Sequence, residues 1–188
     1  KFTWLGRKLR LSKDQVEEIK KLKGIFIEGT PERTYPNHEL LSQVIGFVGL
    51  DNMGLSGLEY MYNKELRGNP VTLKYTIDNK GRAIKFESHQ DVTAQAKDIY
   101  LTIDKDIQGM AEKYLKEAVL KHDADKGGIG VIDVTTGEIL AIANYPSFDP
   151  NNVKGSSPES RKLSFAIDPF EPGSTFKIFT AASALEHK

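Results

Sequence analysis

The sequence predicts an α+β chain in two parts, divided near residue 92. Val71, Leu73, Tyr75 and Ile77 alternate with Thr72, Lys74 and Thr76, the period of a half-buried strand. Ile107, Met110, Ala111, Tyr114, Leu115 and Ala118 recur at three- and four-residue spacing, which gives a helix one core-facing stripe. Residues 129–134 and 138–143 are short, almost continuously apolar runs around Thr135-Thr136-Gly137, suited to strands of a sheet covered on both faces. Between the first two signals, Gln90 to Lys97 is polar without a clear period, and the boundary is placed there, giving parts 1–92 and 93–188.

The other elements follow in order. Residues 12–23 read as a short helix, opened by the capping-box pair Ser12 and Gln15, with Val16, Ile19 and Leu22 on one face and Gly24 as its stop. Thr30 to Asn37 is turn-rich and extended, because each proline disfavours helix in the residue before it. His38 to Val44 is expected as a short helix with Leu40, Leu41 and Val44 on one side, and Arg33 as a structural salt-bridge partner ahead of the alternative, a contact to another domain. The strand ending at Ile77 turns at Asp78-Asn79-Lys80-Gly81 and returns through Ile84 and Phe86. Ile99 to Ile103 reads as a strand, with Asp104 capping the helix that follows and Asp106 complementing its dipole. Met110 and Tyr114 are taken as packing residues. Asn151 to Ser164 is polar and turn-rich, and is expected as a surface loop.

Composition excludes more than it assigns. The 188 residues carry 26 basic and 26 acidic side chains, so no global field points to nucleic acid or to an anionic membrane. No basic run studded with aromatics suggests a nucleic-acid surface. With no cysteine there is neither a disulfide nor a thiolate metal site, and His38, His89, His122 and His187 lack ligand-type spacing, so no metal is expected. Gly24 to Gly29 has the glycine spacing of a phosphate loop, but Thr30 and Pro31 stand where Lys and Ser or Thr are needed. Asp133 and Glu138 flank a hairpin turn, a poor place for a glycosidase carboxylate pair. No apolar run approaches the ~20 residues of a membrane span.

The strongest chemical signal is Glu171-Pro172-Gly173-Ser174-Thr175-Phe176-Lys177. Pro172 and Gly173 break the backbone, and Ile178 to Glu186 reads as helix, so Ser174 falls at or near a first helical turn with Lys177 on the same face. Such residues stand about 5–6 Å apart at Cβ, within reach of a hydrogen bond. A serine hydroxyl becomes a nucleophile when a base removes its proton, and a lysine of lowered pKa can be that base. Free lysine titrates near ~10.4, so working near neutrality asks for a drop of about three units, or ~4 kcal/mol. Four letters alone do not decide this. About one Ser-x-x-Lys is expected by chance at this length, and an N-capping serine before a solvated lysine would look the same.

The surroundings decide it. Phe170 to Lys177 closely resembles the active-site box of penicillin-binding proteins, whose first motif is Ser-x-x-Lys. Gly128 to Asn151 is similar to the stretch that opens the transpeptidase domain of the class B, monofunctional members, and Leu101-Thr102-Ile103-Asp104 with Ile107-Gln108 to their domain-entry motif. Arg33-Thr34-Tyr35-Pro36, Gly46-Phe47-Val48-Gly49, Gly57-Leu58-Glu59 and Leu66-Arg67-Gly68 resemble their non-catalytic pedestal. The resemblance runs in order from about residue 33 to 177. It departs from the family at Ser164-Phe165, where Asn-Arg is common, and near Ala96 and Lys97, where a glycine is common.

The resemblance implies a partial pedestal (dimerisation-type) domain over 1–92, then the first part of a penicillin-binding transpeptidase α/β domain over 93–188, a sheet with helices on both faces, incomplete. It implies a parent D,D-transpeptidase at the periplasmic, extracytoplasmic face of the cytoplasmic membrane, held by an N-terminal anchor absent here, so that the piece looks cut at both ends. Ser174 would be the catalytic nucleophile and Lys177 its proton acceptor. Stem peptides ending in D-Ala-D-Ala and β-lactams would be the ligands, cell-wall synthesis and division proteins the partners, and no cofactor is implied. The family's Ser-x-Asn and Lys-Thr-Gly boxes do not occur in the fourteen positions after Ser174, so this piece alone is expected to be inactive. Two other readings stand beside it: an interaction module that docks cell-wall synthesis partners, and a penicillin-sensing or β-lactamase-related domain. Spacing between the glycine motifs leans toward the division type.

Overall fold

The computed structural model describes residues 3–68, 76–77, 83–84 and 96–187. Its elements run α1 (Lys13–Lys20), α2 (Ser42–Ile45), α3 (Gly57–Met61), α4 (Asn63–Arg67), β1 (Thr76–Ile77), β2 (Ala83–Ile84), α5 (Lys105–Lys121), β3 (Gly127–Ile132), β4 (Ile139–Tyr145), α6 (Ser164–Ile167) and α7 (Lys177–Glu186). Short 3-10 turns lie at Pro150–Gly155, Glu159–Arg161 and Gly173–Phe176.

The capping box predicted for α1 forms: Ser12 Oγ accepts from Gln15 N at 3.3 Å, and Gln15 Oε1 accepts from Ser12 N at 2.9 Å. The helix stops at Lys20, short of the predicted residue 23, and leaves Leu22 outside it and exposed. No residue of α1 is buried, so caps rather than packing hold it, and a short helix held that way frays early.

The helix expected over His38 to Val44 is not there. Residues 36–40 are turns, and α2 begins only at Ser42. Leu41 is the reason: it sits in the left-handed region at φ 58°, and its N–H leaves the helix direction to donate to Glu112 Oε1 at 2.7 Å. Two glycines then let backbones touch. Gly46 (φ 78°) and Gly57 (φ 57°) pack α2 against α3, where a Cβ on Gly46 would stand 1.9 Å from Ser56 O and one on Gly57 2.4 Å from Val44 O. Around this contact Tyr35 Oη accepts from Val48 N at 3.1 Å, and Arg33 Nε donates to the buried Glu59 at 2.6 Å, the structural role expected for Arg33.

β1 and β2 pair antiparallel, Thr76 with Ile84 and Ile77 with Ala83, as the alternation predicts. The rest of that hairpin, Val71 to Tyr75, the turn at 78–81 and Phe86, lies outside the described residues, as does most of the predicted boundary.

Residues 99–103 form no strand, against expectation. The segment meets β4 through one backbone bond, Asp104 N to Leu140 O at 2.9 Å, while Thr102 takes the next carbonyl, Ile139 O, with its hydroxyl at 2.7 Å. A side chain thus occupies the acceptor a ladder would need. Asp104 caps α5 as predicted, accepting from Asp106 N and Ile107 N at 2.9 Å each.

α5 lies against the β3–β4 hairpin, which pairs from Gly127–Tyr145 to Ile132–Ile139 with an irregularity at Val131/Ile132. The core between them is Ala111, Leu115, Val119, Ala141 and Ala143, with Ile107, Ile129, Val131 and Tyr145 at its edge. The predicted stripe is therefore rotated. Gln108, Ala111, Leu115 and Val119 are buried, whereas Met110, Tyr114 and Ala118 are exposed and do not pack as expected. Nor is β3 closed on both faces along its length, since its residues alternate between half-buried and exposed. Its inward face meets α5 at Gly127, where a Cβ would stand 2.9 Å from Leu115 and Val119. On the outward face Phe165 of α6 lies across Gly128 and Gly130, so helices do flank both sides of the hairpin.

Candidate active site around Ser174

Pro172 (φ −70°) and Gly173 (φ 55°) turn the chain into a 3-10 turn, Gly173–Phe176, that runs straight into α7. Thr175 secures its start, donating through its hydroxyl to Pro172 O at 2.5 Å. The Lys177 N–H donates to Ser174 O, closing the turn between the two predicted site residues. In a 3-10 turn residues three apart eclipse, so Ser174 and Lys177 project from the same side. Both are exposed, and among the described residues no hydrogen bond joins Ser174 Oγ to Lys177 Nζ. The structure thus brings the pair to one turn without closing the proton-transfer contact.

The segment behind this turn is firmly anchored. Asp168 accepts from Lys126 Nζ at 2.6 Å and pairs with Lys162 Nζ. Those two hydrogen bonds, Lys126 first, pull its carboxyl down to about 2. Asn144, buried at the end of β4, accepts from Phe165 N at 2.9 Å and donates to Lys162 O at 3.3 Å. The stretch expected as a surface loop, 151–164, buries Ser160 and joins the N-terminal part of the chain. Asn151 accepts from Tyr35 N at 3.0 Å and donates to Tyr35 O at 2.9 Å, and Gln43 Nε2 donates to Ser160 O at 2.9 Å. Three-residue turns bury one polar group at a time, which leaves no apolar period to read.

Beside them Gln108 behaves as a piece of strand edge. Its side chain accepts from Ile142 N at 2.8 Å and donates to Ile142 O at 2.9 Å and to Glu112 Oε1 at 2.8 Å. Sequence reasoning assigned no role to Gln43, Asn144 or Glu112. The available signal was a polar residue at a position flanked by apolar ones, as Asn144 is after Ala143.

Elsewhere the described residues gather no cluster of three or more His, Asp or Glu side chains able to hold a metal ion. His38 Nδ1 instead stands 3.0 Å from Asp149 Oδ2. Among the described residues no helix is long and apolar enough to cross a membrane.

Comparison with known proteins decides the family. Residues 8–101 match the penicillin-binding protein dimerisation domain, and residues 127–188 match the penicillin-binding protein transpeptidase domain. The chain belongs to the penicillin-binding proteins. It is 37% identical to the peptidoglycan D,D-transpeptidase FtsI of Escherichia coli K12, across 99% of this chain and 32% of that protein. It is 38% identical to the stage V sporulation protein D of Bacillus subtilis, across 100% of this chain and 29% of that protein. Among solved structures, penicillin-binding protein 3 of Mycobacterium tuberculosis superposes with a TM-score of 0.68 at 30% identity, covering 83% of this chain and 32% of that one. That protein has also been solved in complex with aztreonam and with ampicillin. This penicillin-binding protein chain spans about a third of the length of the curated relatives it matches. Its fold is that of a dimerisation domain followed by part of a transpeptidase domain.

Proposed function

We propose that this chain is part of a serine-type D,D-transpeptidase that cross-links peptidoglycan stem peptides, with a pedestal over 1–92 and the start of the catalytic domain over 93–188. The observation that carries the reading is the single turn holding Ser174 and Lys177, inside the region that matches the transpeptidase domain. Lys177, as the free amine, takes the proton of Ser174 Oγ while that oxygen attacks the carbonyl of a terminal D-Ala-D-Ala bond. The C–N bond then breaks, D-Ala leaves with a proton on its amine, and an acyl-serine ester remains. The amine of a second stem displaces the serine oxygen and restores the hydroxyl. A β-lactam opens at its ring amide in the same way, but the leaving nitrogen stays tethered and the ester persists. Backbone N–H groups at the turn favour the developing oxyanion.

The reaction belongs outside the cytoplasmic membrane, where the polymer is built, and the protein works there with cell-wall synthesis proteins, most naturally those of division. The test is labelling of the full-length protein with a fluorescent penicillin. Labelling is expected to vanish in Ser174→Ala and to collapse in Lys177→Ala, and full labelling of Ser174→Ala would refute the assignment. The match of residues 8–101 to the dimerisation domain favours a second reading for the chain taken alone, a non-catalytic interaction module. It would then capture cell-wall synthesis partners while labelling little.

A further inference from the structure

Two segments far apart in sequence, 35–48 and 144–165, are joined by polar side chains. Most of the joints lie at the rim: Ser147 Oγ donates to Glu39 Oε2 at 2.7 Å, His38 meets Asp149, and Asn151 brackets the Tyr35 peptide. Gln43 is buried among them. Its amide nitrogen stands 3.0 Å from Pro146 O, 2.9 Å from Ser160 O and 3.5 Å from Asn144 O. An amide nitrogen has two protons to give, so the two near carbonyls are the ones it serves. They belong to different stretches: one follows β4, and the other opens the run toward Ser174.

That run is then held at close intervals. Asn144 takes Lys162 O and Phe165 N, the Phe165 ring covers Gly128 and Gly130, and Lys126 takes Asp168. Among the described residues, 169–176 carry only local hydrogen bonds, so these anchors set where the nucleophile's turn begins. Gln43 is the anchor that reaches both the end of β4 and the start of the run from the pedestal side.

We infer that Gln43 is a positioning residue for the chemistry at Ser174: it clamps Ser160 to the end of β4 and so fixes the register in which 160–174 arrive at the site. The inference rests on Ser174 being the nucleophile. A nucleophile displaced by about 1 Å can lose on the order of a hundredfold in rate, so a clamp of this kind acts on rate and not only on stability.

The experiment is the rate of acylation of the full-length protein by a fluorescent penicillin, with Gln43→Met against wild type. Methionine keeps the length and apolar contacts of the side chain but has no N–H to donate. Acylation is expected to slow about tenfold or more, while saturating penicillin still labels every molecule and the melting curve shows a folded protein at the assay temperature. A variant that is less heat-stable yet acylates at the wild-type rate overturns the inference. Asn151→Ala, which cuts the Tyr35 bracket and leaves Gln43 alone, is expected to keep the wild-type rate, and equal slowing there also overturns it. If Gln43→Met does not fold, Gln43→Asn, whose amide falls one methylene short, is judged by the same two results. Ser174→Ala run in parallel separates the two readings. Persistent labelling of that variant removes the nucleophile itself, whereas its loss together with an unaffected Gln43→Met removes only the clamp.

Discussion

Tyr35 ties two stretches of the N-terminal region to each other and, through its backbone, to Asn151 of the second part. Its phenol oxygen accepts from Val48 N, its peptide is bracketed by Asn151, and the carboxylate of Glu59 lies close by. Burial first, and then the Glu59 charge, push its pKa up to about 12. Tyr35→Phe strips the acceptor from a part-buried N–H and is expected to cost about 1–3 kcal/mol in urea unfolding. The phenol also sets an alkaline limit. An unfolded tyrosine loses its proton near ~10, two units before the folded one, so the unfolded state binds fewer protons in that window and stability falls as pH climbs through it. Asp168 works in the opposite sense. Its folded carboxyl titrates at about 2, below the ~3.9 of an unfolded aspartate, so its contribution is complete above pH ~4 and is lost as pH falls toward 2. Lys126→Ala is expected to narrow that acid window, measured as a smaller loss of melting temperature between pH 4 and 2. At Gly46 the constraint is steric: a methyl group would overlap Ser56 O at φ 78°, so Gly46→Ala is expected to separate α2 from α3 and lower the unfolding free energy, read from urea denaturation, by several kcal/mol, about the size of a left-handed strain plus a lost contact.

At the scale of elements, α5 shows what a sequence can and cannot reveal. Its existence and its Asp104 cap are legible because each has a local cause: a period of apolar residues and a side chain over free N–H groups. Which side it buries is not legible, because the deciding residue is polar. Gln108 buries completely by giving β4 a partner at Ile142, and that turns Met110 and Tyr114 outward. Gln108→Leu keeps the volume but abandons the Ile142 N–H and carbonyl, and is expected to destabilise the chain by about 2–4 kcal/mol, more than an exposed Met110→Ala in the same helix. The failure at Leu41 has the same origin. Leu40, Leu41 and Val44 have helical spacing, but Glu112 captures the Leu41 N–H from 71 residues away, and no local pattern announces a bond of that range. The 151–164 stretch does lie at the surface in turns with Ser160 alone buried, and what no local pattern announces there is the order it takes from Gln43, Tyr35 and Asn144.

For the whole molecule, the region that matches the dimerisation domain meets α5 and the segment after β4 along a polar seam rather than an apolar one. Tyr35, Glu39, Leu41 and Gln43 face Glu112, Pro146, Ser147, Asn151 and Ser160 through hydrogen bonds, with Phe47 edge-on to Phe148 at 6.0 Å as the aromatic contact. Hydrogen bonds are directional, so such a seam fixes register where a greasy one would slide. That is the setting in which one turn carrying Ser174 and Lys177 is presented. The measurement that bears most directly on the proposed chemistry is mass-spectrometric mapping of the adduct formed when the full-length protein is treated with a penicillin. The predicted result is one acyl group on the peptide bearing Ser174, at its hydroxyl oxygen. An adduct on any other residue, or a protein that remains unmodified, would contradict it.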